Sequence, residues 1–131
     1  MTTFTIASSR HCELIDITDK VRAAIRASGI RDGMAVIYTP HTTAAVTINE
    51  NADPDVAGDM VMALDRLVPH DAGYRHAEGN SPAHVKSSLV GASETLIVAG
   101  GAPVLGTWQG VYFCEFDGPR RRQVHVRVIG A

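Results

Sequence analysis

The sequence predicts an α+β protein with a mainly antiparallel sheet and two to three helices on one side or end of it. The chain has 131 residues, the usual size of one domain with one core, so we expect residues 1–131 to form a single domain. Several short apolar runs alternate with a period of two, which is typical of half-buried strands. Strand and helix patterns do not alternate strictly along the chain, which favours α+β over a parallel α/β sheet.

The first third of the chain predicts a strand, a helix and a second strand. Thr18 is placed to cap the helix, and Gly29 is placed to end it. Pro40 cannot donate a hydrogen bond to a sheet, so it ends the second strand. The predicted elements are a strand over 2–8, a helix over 18–28 and a buried strand over 34–39.

The middle of the chain predicts a short strand, two helices and a polar loop. Asp53 is placed as the N-cap of the longer helix, with Pro54 at its first position. Pro82 near the start and Gly91 past the end bracket the shorter helix. The inner face of the longer helix is predicted to carry Val56, Met60, Leu64 and Leu67. The predicted elements are a strand over 44–49, a helix over 54–67, a polar loop between residues 69 and 82, and a helix over 81–89.

The last third of the chain predicts hairpin-like strands. Gly100 and Gly101 are typical of a tight turn between two strands. Val124, Val126 and Val128 alternate and are predicted to point inward. The predicted strands cover residues 94–99, 104–106, 107–115 and 123–129.

Composition and charge exclude several classes of function. A content of 45% apolar and 20% charged residues is ordinary for a folded protein. The net charge of −2 gives no basic face, so nucleic acid is not an expected partner. No stretch approaches the roughly 20 apolar residues that cross a bilayer, so we expect no membrane partner and a cytoplasmic protein. Cys12 and Cys114 lack Cys-x-x-Cys spacing, which favours reduced thiols over a disulfide.

Three histidines could form a metal site. Neutral imidazole is a good zinc ligand, and three histidines with an open fourth position are a usual catalytic arrangement. His41, His76 and His84 could supply these ligands, although they lack a local His-x-x-x-His spacing. The alternative is that His41 ends a strand, His76 lies in a solvated loop and His84 occupies a helix N-terminus. The spacing leaves both interpretations open.

Carboxylates are concentrated where the longer helix begins. Asp53 and Asp55 are explained by the capping of that helix. Glu50 has no such explanation, and at a strand end it could act as a general base, bind a ligand hydroxyl or orient a histidine. The alternative is that Glu50 forms a salt bridge at the rim of the protein.

Two further segments carry candidate ligand-binding groups. The helix start at Ser81 could bind phosphate through its exposed N–H groups, with Lys86 in reach. Lys86 could equally lie on a solvated face of the helix. We expect Trp108 to fill the core, with stacking on a flat ligand ring as the alternative. Gln109 offers both a hydrogen-bond donor and an acceptor.

Three segments together carry a resemblance to a known family. They are HTTAAVTINENADPD over residues 41–55, NSPAHVKSSL over residues 80–89, and LGTWQG over residues 105–110, followed by Glu115. In this order and spacing the chain resembles the YjbQ family, also called the secondary thiamine-phosphate synthase family. The match spans nearly the whole chain, and Gly-Thr-Trp-Gln is the signature of that family.

The resemblance implies a β-sandwich-like core, a homotrimer with pockets near subunit boundaries, and a set of site residues. The implied catalytic residues are Glu50 and His84, and the implied metal ligands are His41, His76 and His84. The expected substrate-binding residues are Thr42, Asn49, Asn80, Lys86, Thr107, Trp108 and Gln109. The implied cofactor is a divalent metal ion, zinc or magnesium, and no organic cofactor is expected.

The activity that names the family joins a hydroxymethylpyrimidine diphosphate to a thiazole phosphate, with release of pyrophosphate. It is described as secondary, so the resemblance implies weak thiamine-phosphate synthase activity and leaves the native reaction open. The expected partner is a small phosphorylated molecule. Two alternatives remain: a metal-dependent hydrolase of a small phosphorylated molecule, and a non-catalytic trimeric module that binds a metabolite or anion.

Overall fold

The computed structural model describes residues 1–131 as three helices and eight strands. The helices are α1 (Thr18–Ser28), α2 (Pro54–Leu67) and α3 (Ser81–Val90). The strands are β1 (Thr2–Ala7), β2 (Glu13–Asp16), β3 (Gly33–Tyr38), β4 (Ala44–Glu50), β5 (Ser93–Ala99), β6 (Ala102–Pro103), β7 (Gln109–Glu115) and β8 (Arg121–Gly130). None of the helices has the length and apolar character needed to span a bilayer.

The strands form two sheets in which every pairing is antiparallel. The larger sheet has the order β1, β8, β3, β5, β6, and the smaller has the order β2, β7, β4. In the smaller sheet, Ala44 lies opposite Glu115 and Glu50 lies opposite Gln109. The prediction of an α+β fold with mainly antiparallel, sandwich-like sheets and three helices is therefore confirmed.

The main core lies between the two sheets and α1. Ala35, Leu96 and Val126 fill it from the larger sheet, and Phe113 fills it from the smaller sheet. Because alternate side chains of a strand point to opposite faces, β7 also has an outer face. Cys114 on that face joins a second cluster, which packs beneath α3. Burial on both faces explains why residues 110–116 form a continuous buried run.

Local sequence explains where the helices begin and end. Asp53 caps α2 as predicted, since its side chain accepts a hydrogen bond from Asp55 N at 2.9 Å. Gly29 ends α1 in the left-handed conformation, as predicted. The prediction that Thr18 caps α1 was wrong by one residue, because Ile17 occupies the cap position. The Thr18 hydroxyl instead donates to Asp16 Oδ1 at 2.5 Å.

Three further predictions from the sequence were wrong. Leu67 was placed on the inner face of α2, but 73% of it is exposed, because it is the last residue of that helix. The short strand predicted over 104–106 lies instead at Ala102–Pro103, directly after the Gly100–Gly101 turn. Trp108 was expected in the core, but it lies in the turn before β7 and is 62% exposed.

Candidate functional site

A cavity of about 320 Å³ opens between the end of α2, the start of α3 and the segment after β7. We call it the Lys86 cavity. This volume is at the small end of the range for small-molecule sites. Its lining residues are His11, Asp65, Val68, His70, Asn80, Pro82, Ala83, Lys86, Phe116 and Asp117.

Lys86 lies in the wall of this cavity and is only 4% exposed. Its ammonium group forms an ion pair with Asp65 on α2. It also lies 3.8 Å from Cys12 Sγ and 5.8 Å from the centre of the Phe116 ring, over its face. Burial is the largest influence on the Cys12 thiol and raises its pKa, although Lys86 opposes that effect. The arrangement therefore holds one cation, beside a thiol, at the edge of a concave site.

Asn80 supplies an unused acceptor at the same cavity. Its Nδ2 donates to Asp117 Oδ2 at 3.0 Å, whereas its Oδ1 is buried without a hydrogen-bond partner. A buried acceptor without a partner costs free energy, so a ligand that donates a hydrogen bond would be stabilised there. Burial opposes the charge of Asp117, but the hydrogen bonds from Asn80 and Arg120 outweigh it and lower the pKa of that carboxyl. Asp117 is therefore charged at neutral pH.

Two imidazoles line the cavity. The rings of His11 and His70 meet edge to face, with 6.3 Å between their centres. His11 Nδ1 lies 4.0 Å from Asp117 Oδ1, and the His11 side chain is exposed. The ring nitrogens of both histidines are available to hydrogen-bond a ligand in the cavity.

A buried ion pair lies behind the cavity and fixes the segment after β7. Glu115 is fully buried and pairs with Arg122, which also donates to Thr43 Oγ1 at 2.9 Å. Ser8 Oγ donates to Glu115 Oε1 at 2.6 Å. Burial opposes the charge of Glu115, but the hydrogen bonds from Arg122 and Ser8 outweigh it and lower its pKa. Gly118 packs so closely that a Cβ there would lie 2.2 Å from the Arg10 carbonyl oxygen.

His41 lies beside this ion pair. Its Nε2 accepts a hydrogen bond from the backbone N–H of Gln123 at 2.9 Å. Burial, and then the positive charge of Arg122, lower the pKa of His41, so its ring is neutral and carries its proton on Nδ1. Thr42, the next residue, is exposed to solvent. The hydrogen bond from Gln123 therefore occupies His41 Nε2. A metal ion could bind His41 only through Nδ1, which would first have to lose its proton.

The other two predicted metal ligands are neighbours. The rings of His76 and His84 meet edge to face with 5.6 Å between their centres. His76 Nε2 lies 3.9 Å from Glu78 Oε2, and both side chains are substantially exposed. No group of three or more His, Cys, Asp or Glu side chains is placed to hold a metal ion. Within one chain His41, His76 and His84 do not form such a group, and the three-histidine site stays a prediction.

The remaining predicted residues lie where β4 ends and β7 begins. The contacts of Glu50 run through its backbone: its N–H donates to Asn49 Oδ1 at 2.8 Å, and its carbonyl accepts from Tyr112 Oη at 3.1 Å. Gln109 Oε1 accepts from Gly106 N at 2.8 Å and so closes the turn that exposes Thr107 and Trp108. Glu50, which is partly exposed, and the exposed indole of Trp108 lie at one end of the smaller sheet, which we call the Trp108 edge.

The structure thus divides the predicted site between the two ends of β7. The Trp108 edge is at the start of this strand, and the Lys86 cavity adjoins its other end. Because β7 has seven residues, these ends lie about 20 Å apart. Of the predicted site residues, Asn80 and Lys86 line the same cavity, and their roles stay predictions. The sequence did not indicate His11, Asp65 and Asp117, which also line it, or Cys12, which lies beside Lys86. The one signal that could have indicated any of them is the position of Asp117, a carboxylate just after the strand predicted over 107–115.

Comparison with known proteins identifies the family. A family described as UPF0047 protein YjbQ-like matches residues 2–131. A UPF0047 protein of Methanocaldococcus jannaschii is 54% identical over 127 residues, covering 97% of this chain and 92% of that protein. The UPF0047 protein YugU of Bacillus subtilis is 53% identical over 129 residues, covering 98% of each.

Solved structures agree with the sequence match. A YjbQ/UPF0047 family protein of Clostridium acetobutylicum superposes with a TM-score of 0.97 at 51% identity, covering 98% of this chain and 100% of that one. A protein of Sulfolobus solfataricus, described as YbjQ-like and of unknown function, superposes with a TM-score of 0.95 at 31% identity, covering 99% and 96%. The motifs, the two-sheet fold and these matches together establish that the chain belongs to the YjbQ (UPF0047) family.

Proposed function

We propose that the Lys86 cavity binds a small phosphorylated molecule and that the chain has a secondary thiamine-phosphate synthase activity. The observation that carries this proposal is a lysine that is nearly buried and yet lines a concave site. A buried charge is costly unless it is paired, so a cation kept in such a place is well suited to bind an anion. Its present partner, Asp65, is half exposed and can turn into solvent when a phosphate arrives.

The reaction needs one bond to form and one to break. The ring nitrogen of the thiazole phosphate attacks the methylene carbon of the pyrimidine diphosphate, and the bond from that carbon to the diphosphate oxygen breaks. Pyrophosphate leaves with the electron pair, and the thiazole becomes a thiazolium cation. We assign Lys86 to stabilise the charge on the leaving pyrophosphate, since fixed cations placed where charge develops speed such steps. The free Oδ1 of Asn80 is an acceptor suited to the amino group of the pyrimidine.

We further propose that the active assembly is a homotrimer. The outer face of the larger sheet carries cross-strand neighbours Met34, Ile97 and Ile129, each at least 45% exposed in the single chain. Contiguous apolar surface of this kind is typical of an interface. We propose that Glu50 and Trp108 of one subunit complete the Lys86 cavity of another, since a single chain places them at opposite ends of β7.

The two alternatives use parts of the same surface. A non-catalytic module would bind the phosphorylated molecule in the Lys86 cavity and form no product. A metal-dependent hydrolase would need zinc or magnesium at His76 and His84. It would also need further metal ligands, because one chain brings together no group of three metal-binding side chains. The transferase proposal needs no organic cofactor, and its cation is the ammonium group of Lys86, which the chain itself supplies.

The test is a turnover assay with both thiamine-phosphate precursors, measuring thiamine phosphate and pyrophosphate in parallel. We expect product from the unaltered protein and about a 100-fold lower kcat/KM for Lys86→Met. Lys20→Met, on the exposed face of α1, is the matched control and should retain full activity. Binding of both precursors without product would favour the module, and product formation unchanged in Lys86→Met would refute the assignment of Lys86.

A further inference from the structure

A second cleft, of about 380 Å³, lies between the C-terminal half of α1 and the turn from β5 to β6. We call it the arginine cleft. It shares no residue with the Lys86 cavity. Its lining residues are Arg22, Ile25, Arg26, Gly29, Ile30, Arg31, Gly100, Gly101, Ala102 and Pro103.

Three guanidinium groups and no carboxylate line the arginine cleft. Arg22 lies 3.8 Å from Asp19, whose side chain is fully exposed and therefore gives weak compensation. Arg26 and Arg31 form no ion pair within the chain, and Arg22 and Arg26 repel each other across one turn of α1. The cleft thus concentrates positive charge that an anion would neutralise.

The turn between β5 and β6 holds Arg31 at the cleft. Gly101 N donates to the Arg31 carbonyl at 2.9 Å. The guanidinium lies over the turn, because a Cβ added at Gly100 or Gly101 would be 3.9 or 3.6 Å from its nitrogens. Both glycines have positive φ, of 60° and 77°, which side chains rarely adopt. The backbone therefore packs beneath Arg31 and limits where its charge can move.

The surroundings give the cleft an apolar side and two opposing charges, the C-terminal end of α1 and Asp32, whose Oδ1 accepts a hydrogen bond from Gly100 N at 3.4 Å. Ile25, Ile30 and Pro103 supply apolar surface. The C-terminal end of α1 carries a partial negative charge of about half an electron, which disfavours anions. That effect is smaller than three full positive charges, and the Arg26 carbonyl already accepts from Gly29 N at 3.2 Å. The net positive charge and the apolar side of the cleft together favour a ligand that carries an anionic group on a partly apolar remainder.

We propose that the arginine cleft is an anion site that binds the phosphate group of a small phosphorylated molecule. Arg26 and Arg31 hold the phosphate oxygens through charge-assisted hydrogen bonds, for which the forked guanidinium is well suited. Ile30 and Pro103 contact the remainder of the ligand. This site is independent of the Lys86 cavity and of the transfer reaction proposed there.

The experiment titrates inorganic pyrophosphate into Lys86→Met protein by calorimetry, so that the Lys86 cavity does not contribute. One sample adds Arg26→Gln and Arg31→Gln. A matched sample adds Arg66→Gln and Arg127→Gln, which remove the same charge from exposed positions elsewhere. Melting temperatures confirm that all samples are folded.

We expect Lys86→Met protein to bind pyrophosphate and the cleft variant to bind it at least about tenfold more weakly. The matched variant should bind within about twofold of its parent. Equal weakening in both double variants would mean that only net charge matters, and absence of binding to Lys86→Met protein would mean that the cleft is not a site. Either result overturns the proposal.

Discussion

Lys86 and Asp65 form an ion pair whose members differ sharply in exposure: the lysine side chain is 5% exposed and the aspartate side chain 55%. The lysine side chain is enclosed by its neighbours, whereas the aspartate has room to turn into solvent. This asymmetry makes the ammonium group the fixed member of the pair and the carboxylate the exchangeable one. A phosphate that enters the cavity can therefore replace Asp65 without leaving the lysine unpaired.

The same asymmetry predicts different effects on stability for the two members. Lys86→Met should change the free energy of unfolding by less than about 1 kcal/mol, because Met fills a similar space against Phe116 and Asp65 is free to become solvated. Asp65→Asn should destabilise by about 1–3 kcal/mol, because it leaves a buried ammonium without a counter-charge. Urea unfolding measures both, with Asp59→Asn on the exposed face of α2 as the control. A larger loss in Lys86→Met than in Asp65→Asn would contradict this view of the pair.

The buried pair of Glu115 and Arg122 predicts loss of stability in acid. The folded protein lowers the pKa of Glu115, so the unfolded chain binds its proton more readily. The stabilisation is therefore complete above the unfolded value of about 4.3 and is lost as the pH falls through the lower folded value. Glu115→Gln should be less stable at pH 7 and should lose less stability than wild type below about pH 4.3.

Thermal unfolding across this pH range measures the difference between the two proteins. Glu78→Gln, an exposed change of the same kind, should follow the wild-type curve. Parallel acid losses in wild type and Glu115→Gln would show that Glu115 does not supply the effect.

The apolar face of the larger sheet predicts the oligomeric state. We expect light scattering to give three times the chain mass of 14.0 kDa for the wild-type protein. Ile97→Lys should shift the mass toward 14.0 kDa, because burying an unpaired ammonium in an interface is costly. Thiamine phosphate formation should fall with the mass if the site is shared between subunits. Ala63→Lys on exposed α2 is the control, and a trimer that survives Ile97→Lys would place the interface elsewhere.

The histidine arrangement predicts little bound metal. Protein purified without chelator should carry well below one zinc or magnesium ion per chain, because His41 Nε2 is engaged by Gln123 and only His76 and His84 are neighbours. His84→Ala should then leave the metal content unchanged, as measured by elemental analysis. One zinc per chain that disappears in His84→Ala would instead support the metal-dependent hydrolase.

Particular residues show what the sequence could and could not predict. Asp53 and Gly29 set helix boundaries through bonds to residues close in sequence, so their roles were predictable. The burial of Lys86 depends on Asp65, which is 21 residues away, and on Cys12, which is 74 residues away. No local pattern contains those contacts, so the sequence left open whether Lys86 binds phosphate or lies on a solvated helix face.

Trp108 was predicted in the core but is exposed, which is the opposite of the case of Lys86. A large aromatic between two apolar runs predicts the core, but the hydrogen bond from Gly106 N to Gln109 Oε1 forms a turn that carries the indole outward. The sequence could not predict the strand order either, because β8, at the other end of the chain from β1, lies between β1 and β3. Local patterns therefore predicted the elements, and long-range contacts decided which candidate residues share a site.

Calorimetric titration of thiamine phosphate tests most directly whether the Lys86 cavity binds a small phosphorylated molecule. The titration compares the Arg26→Gln and Arg31→Gln double variant with the same protein carrying Lys86→Met, so that the arginine cleft does not contribute. We expect binding to the first protein and at least about tenfold weaker binding to the second. Equal dissociation constants in the two proteins would contradict the central role of Lys86.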